Sequence, residues 1–148
     1  MEYKKDKRTK NLTLRDIHVG DWVQVWSEQT ERYSPPLKII QICDDGTIYL
    51  VTSDEERPTP WEEDIKNVDA LPITSELLEG FGFEIIGNNN HKHWHFAYHN
   101  GVFICELSKY SSCYECYGFK YLHELITLLC DNKPEILNIE WKGIEKTK

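Results

Sequence analysis

The stretch Asp69-Ala70-Leu71-Pro72-Ile73-Thr74-Ser75-Glu76-Leu77-Leu78-Glu79-Gly80-Phe81-Gly82-Phe83 decides how this chain is divided. Pro72 has no amide hydrogen to donate and stops whatever precedes it. Thr74 or Ser75 can cap a short helix running to Glu79, and Gly80 and Gly82 can end that helix and launch a strand at Phe83. The stretch therefore predicts a seam. A small β unit over 13–70 precedes it and an α+β unit over 71–148 follows, with residues 1–12 as a flexible basic tail. The expected fold class is α+β.

Toward the N-terminus, Gly20-Asp21 forms a turn directly ahead of Trp22-Val23-Gln24-Val25-Trp26, whose β-branched and aromatic residues predict a strand. Pro35-Pro36 breaks a polar loop. Leu37 to Cys43 predicts a second strand, Asp44-Asp45-Gly46 a tight turn, and Thr47 to Ser53 a third strand. After the polar residues Asp54 to Pro60, the run Trp61-Glu62-Glu63-Asp64-Ile65-Lys66-Asn67-Val68 is a short strand or turn able to close a small barrel of the SH3-like kind. Closure removes the sticky edges of a lone meander.

Toward the C-terminus, Phe83 to Ile86 predicts a strand, and His93 to His99 with Val102 to Leu107 predicts a hairpin around Asn100-Gly101, a dipeptide that tolerates the positive φ of a type I′ turn. Tyr114 to Phe119 offers a further strand. Between Lys120 and Cys130, Leu122, Leu125, Ile126 and Leu129 recur at helical spacing, and Pro134 stops the segment. This is the main helix; Ile136 to Trp141 predicts a last short strand.

At 148 residues, 40% hydrophobic and 12% aromatic, the chain is expected to fold around an ordinary core. No apolar run approaches the roughly 20 residues of a membrane span, and the basic N-terminus has no apolar segment behind it, so the expected location is cytoplasmic. Residues 1–12 carry five Lys/Arg against two acids, residues 142–148 three against one, and the remainder nine against 22. Such an acidic body argues against nonspecific nucleic-acid binding, which relies on cations and counterion release. Five cysteines, an odd number, argue for reduced thiols or a metal site over a disulfide framework.

Three constellations carry chemistry. Trp22, Trp26, Tyr33, Tyr49 and Trp61 are placed to line one mouth of the β unit, a groove that would hold a peptide, base or nucleotide by stacking, with at least one of Trp22 and Trp26 in the core. His91, His93, His95 and His99 alternate along one strand, and Cys113-Tyr114-Glu115-Cys116 is a CxxC pair; Cys113, Cys116, His93 and His95 compose a Cys2His2 zinc site. The competing account is that Trp94, Phe96 and Tyr98 occupy the opposite face and leave the histidines as the exposed polar side. A thiol of Cys113 or Cys116 beside His123 would instead make a Cys/His-dependent enzyme. The acid runs Asp54-Glu55-Glu56 and Glu62-Glu63-Asp64 flank Trp61 and would suit a divalent cation or a basic partner, but they lack the ligand spacing and glycine of a calcium loop, and a solvated loop is the better account. Phosphate-binding glycine loops, nucleophile elbows and zincin motifs are absent from the sequence.

Gly20-Asp21-Trp22-Val23, Leu71-Pro72-Ile73-Thr74 with Phe81-Gly82-Phe83, and Tyr121-Leu122-His123-Glu124-Leu125 resemble, in their order, the pattern of a group of small uncharacterised proteins of bacterial genomes and prophages. The resemblance spans residues 14–130. It implies a mobile-element origin and binding to a host factor, and it brings no enzymatic activity. The function expected from the sequence is noncatalytic binding of a host protein or small ligand through an acidic and aromatic surface, with no cofactor. The alternatives are a zinc protein and a cysteine/histidine enzyme.

Overall fold

A computed structural model describes residues 8–52, 60–88, 90, 93–110, 113–116, 118–129 and 139–142. The chain divides into two compact units, Met1–Leu71 and Pro72–Lys148. Both are built on antiparallel sheets with few helices.

In the first unit, the apolar run after Gly20-Asp21 forms β1 (Trp22–Ser27). A loop leads to β2 (Arg32–Tyr33) and then β3 (Leu37–Ile42), and these pair with successive halves of β1, Trp26 facing Tyr33 and Trp22 facing Lys38. The expected Asp-Asp-Gly turn joins β3 to β4 (Thr47–Val51), and β5 (Trp61–Asp64) lies beside β4. A 3-10 turn over Ile65–Asn67, capped by the Asp64 side chain accepting from the Lys66 amide, leads into β6 (Val68–Asp69). β6 returns to β1 and pairs Asp69 with Gln24 and Val68 with Val25, so the strand order is β2-β1-β3-β4-β5 with β6 on β1. The sheet curls around Val23, Leu37, Ile39, Ile48, Leu50 and Val68, all without solvent exposure.

The expectation of a free basic tail over 1–12 is corrected from Arg8 onward. The Leu12 amide donates to the Val68 carbonyl at 2.9 Å, the Ala70 amide donates to the Lys10 carbonyl at 2.8 Å, and the Leu12 side chain is buried. Asp69, fully buried, accepts from Arg8 Nε at 2.9 Å and Nη2 at 2.5 Å, from the Tyr33 hydroxyl at 2.6 Å and from Asn11 Nδ2 at 3.3 Å. A carboxylate out of water is tolerated only with such a set of partners, so Arg8 is held by the charge that needs it.

The second unit starts with Pro72 to Thr74, threaded between two segments: the Ile73 amide donates to the Lys120 carbonyl at 3.0 Å and its carbonyl accepts from the Tyr114 amide at 2.8 Å. Thr74 caps α1 (Ser75–Gly80), its hydroxyl accepting from the Leu77 amide at 3.1 Å. Next come β7 (Phe83–Gly87), β8 (Trp94–His99), β9 (Val102–Tyr110) and β10 (Cys113–Glu115), arranged β10-β9-β8-β7. Asn100 and Gly101 have φ of 54° and 80°, the two left-handed positions that a type I′ turn requires. α2 (Leu122–Leu129) buries Leu122, Leu125, Ile126 and Leu129, and with Phe83, Ala97, Ile104 and Leu107 of the sheet they enclose a small apolar hollow. The β8–β9 register shifts beside Ala97, leaving Ile104 unmatched. The bulge turns both Ile104 and Cys105 inward and both Phe103 and Glu106 outward.

The expected final strand does not form over residues 139–142, which are irregular; residues 136–138 lie outside the described part of the chain. Ile139 is buried, the Lys142 amide donates to the Gly80 carbonyl at 2.8 Å, and the Trp141 ring meets Phe81 edge-on at 5.2 Å. A Cβ on Gly80 would fall within the Trp141 ring.

Two stability measurements check these contacts. Replacing Arg8 with Met should lower the urea-unfolding free energy by about 3 kcal/mol, because it strips the buried Asp69 carboxylate of its charge partner; a change below about 0.5 kcal/mol would make the docked segment incidental. Gly80→Ala should cost about 1–3 kcal/mol by overpacking and shift the tryptophan emission as Trp141 is displaced.

Candidate functional site

The β1–β2 loop, the start of β5 and the 3-10 turn surround an open groove of about 960 Å³ on the first unit. Three of the five aromatics expected to share a mouth meet there: Trp26, Tyr33 and Trp61. Trp26 is buried and takes Tyr33 edge-on at 4.9 Å, while Trp61 in the groove lining is 45% exposed. The other two lie elsewhere. Trp22, 2% exposed, is core. Tyr49 alternates with the buried Ile48 and Leu50 and so projects from the outer face of β4, where the charge of Glu62, its partner across the sheet, holds the phenol above the usual tyrosine range.

Charged side chains complete the lining. Among the described lining residues, Arg8, Arg32 and Lys66 stand against Glu28 and Glu63; Arg8 is paired with the buried Asp69, so two cations and two acids remain on the groove wall. Only Glu63 of the second acid run lines the groove beside Trp61, and Asp54-Glu55-Glu56 lies outside the described residues. The cations escaped sequence reasoning because Arg8 belongs to a segment that reads as a tail, Arg32 to a two-residue strand after a polar loop and Lys66 to a 3-10 turn. The signal for Arg8 was Asp69, an acid directly before an apolar run and so a candidate for burial with a distant partner.

Tyr33 is the pivot. Its hydroxyl donates to Asp69 and accepts from the Thr9 amide at 2.6 Å. Burial first, and then the hydrogen bond to Asp69, push the phenol above its ordinary range.

The residues of the expected zinc site are not gathered. Cys113 and Cys116 are separated by an odd step along extended chain, and strand periodicity sends them to opposite sides. Cys116 is buried and meets Cys105 of β9, whose hydrogen bond draws the Cys116 thiol below the usual cysteine range against the opposing effects of burial and Glu106. His93 is exposed beside Trp94 at the turn before β8, and His95 packs edge-on against Tyr114 at 5.3 Å. Among the described residues, no three histidine, cysteine or acidic side chains are grouped to hold a metal ion; His91 lies outside them. His123 is buried in α2 with its ring stacked on Tyr121 at 6.4 Å.

The account of β8 with histidines outward and aromatics inward is also reversed. Ala97 lies under α2, and His95 and His99 flank it on that inner face; His99 Nε2–H donates to the Phe81 carbonyl at 3.1 Å. Trp94, Phe96 and Tyr98 occupy the outer face. The small Ala97 leaves room for a helix to approach, which a row of three large aromatics would not.

No family model, no curated protein and no solved structure matches this chain. Among the described residues, no helix is long and apolar enough to cross a membrane.

The Tyr33 environment gives a signed pH dependence. A phenol whose pKa is raised by folding stabilises the protein fully below the unfolded value near 10 and loses that contribution as pH rises through the folded value. Relative to Tyr33→Phe, the wild type should hold a constant stability advantage at neutral pH and lose it above about pH 10 in denaturant titrations. An advantage that grew with pH would contradict the buried, hydrogen-bonded phenol.

Proposed function

We propose that the protein is a noncatalytic binding module whose ligand, an extended peptide segment, lies in the Trp26–Tyr33–Trp61 groove. The observation that carries this is the juxtaposition of an exposed Trp61 with a fixed Trp26–Tyr33 edge pair beside Arg32 and Lys66. Aromatic rings with few rotatable bonds supply contact area at low entropic cost, and Arg32 and Lys66 favour an acidic group on the peptide. We assign the first unit to the SH3-like barrels on its strand order, with a 3-10 turn returning the last strand to β1. The likeness to prophage-borne proteins makes a host protein the source of the peptide. Binding asks nothing of the cysteines, so Cys113→Ser and Cys116→Ser leave it intact.

A peptide-display selection against the purified protein should yield sequences that pair an apolar residue with an acidic one. Trp61→Ala, at an exposed position, should leave the thermal midpoint unchanged and weaken the selected peptides by about tenfold or more. An empty selection, or peptides indifferent to Trp61, would overturn the assignment.

A further inference from the structure

The second unit carries a surface that the groove of the first does not use. One face of its sheet is covered by α2; the other holds three rows of cross-strand neighbours. Glu84, Tyr98 and Phe103 form one row, Ile86, Phe96 and Glu106 the next, and Trp94, Ser108 and Glu115 the third. The first two rows each set two large apolar side chains beside a single carboxylate, and the third sets Trp94 and Ser108 beside Glu115. Ile86, Trp94 and Phe103 are 45%, 37% and 39% exposed, and Phe96, opposite Ile86, two positions from Trp94 and in ring contact with Phe103, joins them into one patch. Phe103 meets Tyr98 edge-on at 5.6 Å and Phe96 at 6.5 Å, so the rings are already fixed against one another.

The β9 bulge is what creates this face. Without the extra residue at Ile104, strand alternation would turn either Phe103 or Glu106 into the core; with it, both stand outward.

Charge selects the occupant. Among the described residues of this face, three are glutamates and none is lysine or arginine. Phosphate backbones and anionic lipid surfaces would be repelled. A second copy docked face to face would set glutamates against glutamates. We propose that this face docks an amphipathic helix of another protein that presents leucine-like side chains flanked by lysine or arginine. Its apolar stripe covers Ile86, Phe96 and Phe103, and its cations reach Glu84, Glu106 and Glu115 or the faces of Trp94 and Tyr98. The proposal is independent of the ligand assigned to the groove.

The test uses the full chain and two synthetic helical peptides of one pattern, leucine with lysine and leucine with glutamate, in calorimetric titrations. The lysine peptide should bind and weaken with added salt, while the glutamate peptide should not bind. Trp94→Ala and Phe103→Ala should each weaken the lysine peptide by about tenfold, and Trp61→Ala should not. Glu84→Lys with Glu106→Lys, two exposed positions outside the core, should move the preference to the glutamate peptide and keeps the test valid if Phe103→Ala fails to fold. Equal binding of both peptides would overturn the proposal. So would indifference to the Trp94 and charge-reversal variants, or a sedimentation dimer abolished by Trp94→Ala.

Discussion

Asp69 is a carboxylate with no contact to water, and the first unit is arranged around satisfying it. Its oxygens take hydrogen bonds from Arg8, Tyr33 and Asn11, residues far apart in sequence. Because β6 is only two residues long, its own pairing with β1 holds it weakly; the Asp69 cluster adds the incoming segment on one side and β2 on the other. A buried ion pair of this kind need not add net stability over an apolar replacement, but removing one partner strands the other. The same groups then serve the surface. Arg8 and Tyr33 line the groove, so the interaction that places the N-terminal segment also fixes two walls of the candidate site.

The second unit depends on phase. Its strands alternate, so one decision about which side α2 covers assigns every side chain. Ala97 under the helix places His95 and His99 inside and Trp94, Phe96 and Tyr98 outside. One unmatched residue in β9 then resets the alternation and brings Phe103 to the outer aromatics while Cys105 turns in toward Cys116. The aromatic face and the thiol pair share this cause, while the separation of Cys113 from Cys116 follows from their odd spacing along extended chain.

The turns at Asp44-Asp45-Gly46 and Asn100-Gly101 and the apolar stripe of α2 could be read from the residues alone, and the seam expected between residues 70 and 71 lies one residue from the division at Leu71/Pro72. They rest on local chemistry: a missing amide hydrogen, tolerance of positive φ, a spacing near 3.6. The candidate groove was half legible. Aromatic abundance pointed to Trp26, Tyr33 and Trp61, but the same abundance drew in Trp22, which the core absorbs, and Tyr49, which faces away.

What the sequence by itself determined is therefore most of the elements and, within strands that carry no bulge, which residues share a side. Periodicity cannot say which side is covered, because both alternating sets in β8 hold large or polarisable groups and only packing against α2 breaks the tie. Nor can it pair Arg8 with Asp69 across 61 positions, or Cys116 with Cys105, since such partners are chosen by where burial leaves a charge or thiol in need of one. The tertiary structure made those choices, and the groove and the outer aromatic face both follow from them.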